Sequence, residues 1–373
     1  LFADFGATVI KLEQPGVGDP LRRWGREQVD DQALWWPIAA RNKRSVTCNL
    51  RDPRGQDIVR RLVSDADVLL ENFRPGTMEK WGLGWEDLSK INPRLVMVRV
   101  SGFGQTGPYA ARPGYASIGE AMGGLRYVVG DPSTPPSRTG ISIGDSLAAI
   151  YATLGAFVEL HQVRESGRGQ VVDAAIYESV LAVMESLIPE FTIGQFIRER
   201  TGPMLPNVAP SNIYPTSDGD WILIAANQDS LFGRLCKAMG QPELAIDPRY
   251  CDHSARGCNQ VELDAVISEW TRTMPADELL TLMHDHEVAS GRLYRAPDML
   301  NDPQFAARES IIEVDHPKFG KFAMQNVFPR LSETPGSVEW TGPELGQHNQ
   351  EVLGDWLGLT DQDIADLRAA GVV

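Results

Sequence analysis

Cysteine is scarce in this 373-residue chain, and nothing patterns it. Cys48, Cys236, Cys251 and Cys258 form no Cys-x-x-Cys pair and no short framework. That excludes a disulfide scaffold and reads as reduced thiols in a reducing, cytoplasmic compartment. Histidine is absent from residues 1–160, which leaves that stretch without an imidazole for proton handling. No apolar run reaches the roughly 18 residues a spanning helix needs, and LFADFGATVIKLE lacks a charged leader followed by an apolar core. The expectation is a chain neither secreted nor embedded in a membrane. Positive charge is also short: 35 Lys and Arg against 50 Asp and Glu give a formal charge of −15. Such a surface repels nucleic-acid backbones and anionic headgroups, so any anionic ligand must be held by a local basic cluster. No Gly-x-Ser-x-Gly elbow is present, which argues against a serine hydrolase.

At 42% hydrophobic residues, the chain has enough apolar material for one large and one smaller core. From Ala7 to about Ser101, strands (ATVIKLE, SVTCNL, DVLLEN, RLVMVRVS) alternate with helical patterns (RGQDIVRRLVSDA, TMEKWGL and its continuation). This predicts an open, doubly wound α/β domain with a parallel sheet covered on both faces. A long helix over about Ser146–Gln162, a strand VVDAA and a helix from Ile176 to about Ile188 continue it. RTGPMLPNVAPS has no period and reads as a linker or active-site loop. The expected division is a large domain over 1–199, a linker and small α+β domain over 200–318, and a return to the large domain over 319–373. Leu1 opens in mid-pattern, in the last turn of a helix ending at Gly6, so roughly 20 residues of a βαβ unit are expected upstream.

Four segments are candidates for chemistry. Gly102-x-Gly104-x-x-Gly107 follows a strand, but Pro108, Tyr109 and Pro113 stand where a dinucleotide fold needs a helix. Its glycines read as a tight loop against a ligand or a neighbouring chain. His284 and His286, two apart on a predicted helix, point to different faces, and no metal site is expected. Glu71-Asn72-Phe73-Arg74-Pro75-Gly76-Thr77 lies where a strand gives way to a helix, with Arg74 and Lys80 adding charge and Arg41, Lys43, Arg44 and Arg51 a second basic group. It reads either as a polyphosphate site with free helix N–H groups or as an ordinary turn with solvated arginines. Gly140-Ile-Ser-Ile-Gly144-Asp145-Ser146 leads into the apolar helix. Asp145 there is either an N-cap or, with Ser146 as the cap, a free carboxylate that a ligand can approach.

NKRSVTCNL, LLENFRPGTMEKWGLGWEDL, NPRLVMVRVSGFGQTGPYA, RPGY, GISIGDS with SGRGQVVDAAIYE, EVDHPKFGK and LGQHNQEVL together resemble the family III CoA transferases, the CaiB/BaiF group. The likeness runs over nearly the whole chain. It implies a Rossmann-like large domain plus a smaller α+β domain, in a homodimer of two subunits threaded as interlocked rings. It also implies Asp145 as the covalent nucleophile, with Gln14, the Cys48–Arg51 segment (Cys48, Asn49 and Arg51), Asn72, Phe73, Arg74, Lys80 and Tyr115 on positions that hold coenzyme A. Many members carry an acidic residue after that tyrosine, where this chain has Ala116. The glycine-rich loop of the formyl-CoA enzymes is not recognisable, and RTGPMLPNVAP stands in its place.

The implied activity is transfer of CoA from an acyl-CoA to a free carboxylic acid through an aspartyl anhydride, with CoA thioesters as substrates and no tightly bound cofactor. An α-methylacyl-CoA racemase, a branch of the same family, carries a His-Asp pair near the position of Gly114-Tyr115 here. A CoA-binding protein without turnover is the third alternative. GEAMGGLRYVVGDPSTPPSRTGISIGDS resembles most the branch that uses succinyl-CoA and dicarboxylic or hydroxy acids.

Overall fold

β-Branched runs separated by amphipathic helices become parallel strands, because each crossover carries the chain back to its starting edge. The computed structural model describes residues 1–29 and 31–373. In it, β1 (Val9–Glu13) pairs in parallel with β2 (Lys43–Thr47), with Glu13 opposite Thr47. α1 (Pro53–Val63) follows, started by Asp52, whose side chain accepts the Arg54 N–H. Then come β3 (Val68–Glu71), α2 (Thr77–Lys80), α3 (Trp85–Ile91) and β4 (Val96–Ser101). The expected helix from TMEKWGL onward is thus two pieces, because Gly82 turns with a φ of 62° between them. α4 (Ala116–Met122), α5 (Ile143–Ser166), β5 (Val171–Ala175) and α6 (Ile176–Leu181) complete this part. The helix expected to reach Ile188 stops at Leu181, and a separate helix spans Leu187–Thr192.

β3, β4 and β5 form a three-stranded parallel sheet in the order β3-β4-β5, while β1 and β2 form a separate two-stranded one. The parallel architecture is therefore present in two ladders, where the strand pattern suggested one sheet. In the larger ladder Glu71 lies beside Arg99, and Arg99 beside Asp173.

Contacts divide the chain into two units. The first comprises Leu1–Gly123, Ser142–Val183 and Leu300–Val373, and the second Gly124–Ile141 and Met184–Met299. These limits differ from the 199/200 and 318/319 divisions expected from the pattern, because loop composition marks breaks in secondary structure and not breaks in packing. In the first unit Val59, Val63, Met78, Leu88 and Met97 make one buried cluster, and Val96, Val98, Ala152, Ala156 and Ala174 another. Val352, Leu353, Ile364 and Val372 pack on Val46 and Ile58.

In the second unit, β6 (Ser211–Pro215), β7 (Trp221–Ala225) and β8 (Ser290–Arg292) form an antiparallel sheet, and α7 (Asp229–Ala238), α8 (Gln260–Thr271) and α9 (Ala276–Asp285) share its core of Tyr214, Ile222, Ile224, Phe232, Leu263 and Leu279.

α5 corrects the hydropathy expectation: over 24 residues it is long and apolar enough, by length and composition alone, to cross a membrane. Asp145 and Glu159 interrupt the run in sequence, and that hid it. Gly144, Ala148, Ala152, Ala156, Glu159 and Val163 are the buried residues of α5, and Ala152, Ala156 and Val163 pack with Val96, Val98 and Ala174 of the sheet. Small residues at this spacing let a helix lie close to β4 and β5. Its other side exposes Ile150, Leu154, Phe157 and Val158.

Candidate active site

Ser142 occupies the N-cap of α5 and makes no side-chain capping bond. Asp145 is the third helical residue, inside the first turn, so neither Asp145 nor Ser146 is the cap. Ser146 Oγ instead donates back to the Ser142 carbonyl at 3.1 Å. The Asp145 side chain is exposed at the start of a helix whose next turns are buried.

Gly144 is buried because α4 crosses this turn: a Cβ there would stand 3.1 Å from Glu120 Cγ, 3.2 Å from the Ala116 carbonyl oxygen and 3.3 Å from Ile176 Cγ2. Glu120, 2% exposed, accepts the Gly144 N–H at 3.3 Å. The Gly144 N–H is therefore already engaged within the protein. Crowding by protein atoms, and then the charge of Glu120, raise the Asp145 pKa above the ordinary aspartate value. Solvent reaches the carboxylate, yet one side of it is walled by protein, so both descriptions hold.

Tyr115 caps α4 and is 72% exposed. Its position is set through glycine: a Cβ on Gly102 would fall 2.7 Å from the Cα of Gly114, so only two glycines allow these backbones to touch. The Gly102–Gly107 loop is tied down by Ser101 Oγ, which accepts the Gly104 N–H at 2.9 Å, and by Asp173, which accepts the Gln105 N–H at 2.8 Å. Tyr115 and Ala116 thus lead directly onto the turn that carries Asp145.

Asn72, Phe73 and Arg74 form an exposed loop after β3, and Lys80 is exposed at the end of α2. Phe73 packs edge-on against Trp81 with ring centroids 5.1 Å apart. Two of the N–H groups expected to be free at this helix are already engaged. α2 is a single turn, Thr77 N–H goes to the Arg74 carbonyl at 3.0 Å, and Lys80 N–H goes to the Gly76 carbonyl at 3.2 Å. The exposed side chains of Arg74 and Lys80 are the charged groups this loop presents.

The second basic group is also mostly engaged. Arg41 pairs with Asp4 at 2.9 Å, Arg44 pairs with Glu351 at 2.7 Å, and Lys43 donates to the Ala39 carbonyl while burial lowers its pKa. Arg51 is exposed, and its N–H rests on Asn49 Oδ1 at 3.2 Å. Cys48 belongs to the apolar core, its thiol pushed up to about 12 by burial and then by the charge of Asp52, and its N–H is taken by the Glu13 carbonyl. Its side chain is buried, so the outward-facing side chains of the segment are exposed Arg51 and half-buried Asn49. Gln14 is exposed in the turn after β1, beside this segment.

All ten candidate residues lie in the first unit, at or after the carboxyl ends of parallel strands or on the helices that follow. Open α/β sheets place their ligands at these ends. RTGPMLPNVAP is irregular chain in the second unit. Among the described residues no group of three or more His, Cys, Asp or Glu is placed to hold a metal. Sequence reasoning missed Glu120 and the buried Arg99. The second left a signal, a lone charge in the otherwise apolar strand VMVRVS.

Residues 1–349 match the family described as CoA-transferase family III. Over 373 residues, 100% of this chain and 93% of the relative, the sequence is 61% identical to the Succinyl-CoA--D-citramalate CoA-transferase of Chloroflexus aurantiacus. It is 42% identical over 376 residues to that organism's Succinyl-CoA--L-malate CoA-transferase beta subunit, again covering 100% of this chain and 93% of the relative. Among solved structures, a CAIB/BAIF family protein from Brucella suis matches with a TM-score of 0.83 and 33% identity, over 95% of this chain and 93% of that one.

Proposed function

This chain belongs to CoA-transferase family III and is a CoA-transferase, and from that premise we propose that it carries CoA from succinyl-CoA to a second dicarboxylic or hydroxy-dicarboxylic acid through an anhydride on Asp145. The position of Asp145 supports this reading most directly: a solvent-facing carboxylate of raised pKa, next to a glycine packed on Ala116, the residue after exposed Tyr115, and on Ile176, the residue after the carboxyl end of β5.

The chemistry suits a carboxylate. Asp145 Oδ attacks the thioester carbonyl carbon; a C–O bond forms, the C–S bond breaks, and CoA leaves as the thiolate. The thiolate then attacks the aspartyl carbonyl of the anhydride and releases succinate. The acceptor carboxylate displaces the thiolate from the aspartyl thioester, giving a second anhydride. Attack of the thiolate on the acceptor's carbonyl carbon yields the new CoA ester and restores Asp145. Carboxylates and thiolates exchange throughout with no net proton transfer, which accounts for a site built without an imidazole in residues 1–160.

Asn72, Phe73, Arg74 and Lys80, with Gln14, Asn49, Arg51 and Tyr115, are the proposed contacts to CoA. No tightly bound cofactor is needed. The proposed assembly is the interlocked homodimer, with the first unit as its Rossmann-like domain. Free cysteines, of which Cys48 and Cys236 are buried, support a reducing cytoplasm as its location.

Hydroxylamine added with succinyl-CoA tests the mechanism. It should cleave the intermediate and leave a hydroxamate on the peptide containing Asp145, and Asp145→Ala should lose exchange by several orders of magnitude. Label on another carboxylate, or near-normal exchange in Asp145→Ala, removes Asp145 from the mechanism.

A further inference from the structure

Arg99 stands in the middle strand of the three-stranded sheet and is 7% exposed. Its Nε donates to Glu71 Oε1 at 2.7 Å, its Nη1 to Glu79 Oε1 at 2.6 Å and its Nη2 to Glu79 Oε2 at 3.3 Å. Glu71, 4% exposed, turns its second oxygen to the Phe73 N–H at 2.7 Å.

Stability alone is a weak reason for such an arrangement. A buried ion pair costs desolvation that its attraction only roughly offsets, and apolar residues of equal volume often serve as well. The pairs do determine geometry. Glu71 is the last residue of β3, and Glu79 lies in α2 next to Lys80; between them runs the loop that carries Asn72, Phe73 and Arg74. That loop is short and exposed and is followed by a helix of a single turn, so its side chains need a rigid support. One guanidinium fastens both of its ends to the central strand.

We propose that Arg99 is a positioning residue that holds the 72–76 loop and Lys80 in the geometry that receives the CoA part of the substrate. This rests on the reading of that loop as the CoA site. Arg99 touches no substrate and acts through Glu71 and Glu79. Its loss leaves Arg74 and Lys80 in place but free to wander, so ordering them falls on the binding step. The acyl-transfer chemistry at Asp145, on α5, is untouched.

The test uses the full-length enzyme with succinyl-CoA and a dicarboxylic acceptor, comparing Arg99→Met, Arg99→Lys, Arg74→Ala and Arg99→Met/Arg74→Ala. Arg99→Met should raise KM for the CoA ester about tenfold while kcat and the acceptor's KM stay within about threefold, the pattern of lost binding without lost chemistry. Arg99→Lys, which keeps one charge but not the fork, should recover part of the loss. The double variant should be little worse than the poorer single, because two changes acting through one loop do not add.

An unchanged KM for the CoA ester in Arg99→Met, or additive effects in the double variant, overturns the proposal. Should Arg99→Met fail to fold, Glu79→Gln, at a side chain 46% exposed, takes its place, and a KM that does not rise there is equally decisive. If Arg74→Ala leaves KM unchanged, the reading of the loop as the CoA site fails. A rise confined to Arg99→Met would then mean another route to CoA, and would overturn positioning through the loop.

Discussion

Glu120 Oε1 accepts the Gly144 N–H at 3.3 Å, which sets a buried carboxylate one residue from Asp145. Burial is the larger cause of the raised Asp145 pKa, and the charge of Glu120 is the second. Further ionisable groups lie on α6, which packs on this turn through Ile176, and on the strand that precedes it. α6 brings Tyr177 and Glu178, joined by a 3.0 Å hydrogen bond, and β5 brings Asp173, occupied by the Gln105 N–H. Glu120→Gln keeps an acceptor for Gly144 while removing the charge. Ionised Asp145 is the attacking form, so the acid limb of kcat/KM should move to lower pH in this variant. A limb that stays in place in a pH–rate profile means that Glu120 does not tune the nucleophile.

Gly102→Ala should unsettle the loop that leads to Tyr115. The added methyl would sit 2.7 Å from the Cα of Gly114, where backbone must move, and overpacking of this kind costs about 1–3 kcal/mol. Urea titration should show that loss. Gly233→Ala is the matching control: it lies inside α7 with nothing within 4 Å of the added methyl, and should gain about 0.5–1 kcal/mol from helix propensity.

Strand-forming runs were legible because β-branched residues announce themselves, and the site loops followed from where those strands end. What escaped depends on partners far apart in sequence. Arg99 finds Glu71 28 positions away and Glu79 20 away, and no local pattern reports that a lone arginine in an apolar strand is paired. Asp145 invited reading as a cap because glycine and serine surround it, yet the helix begins at Ile143, where α4 closes on Gly144. The breaks after Lys80 and Leu181 were missed for a related reason. Helical periodicity persists in the side chains while single positive-φ residues, Gly82 in one case and Glu185 in the other, turn the backbone.

The exposed side of α5 predicts association. Leu154 is 55% exposed and Val158 is 64% exposed, on a helix whose opposite side is buried. On a monomer, Leu154→Glu would change stability by about 0.5 kcal/mol or less, as surface substitutions do. Beneath a second copy it would bury an unpaired charge and break the assembly. Light scattering at low micromolar protein should therefore find a dimer for the native chain and a smaller, less stable species for Leu154→Glu. A native chain that is monomeric and active rules out the interlocked assembly.

Asp145 should cost the protein stability in the form that does the chemistry. Its folded-state pKa is raised, so between the unfolded and folded values the native state holds more protons than the unfolded one, and stability falls as pH rises through that window. Above the window the penalty is fully present, and below the ordinary aspartate value it is gone. Asp145→Asn removes the charge at nearly the same size. Its Tm should exceed that of the native enzyme at pH 7 to 8, and the gap should close as pH drops below about 4, the reference aspartate pKa. Exchange activity should be lost at every pH. Thermal melts of the two proteins across this range decide the point: a variant less stable than the native enzyme at neutral pH would mean that the Asp145 carboxylate is held by favourable contacts, contrary to the crowding by protein and by Glu120 found at its turn.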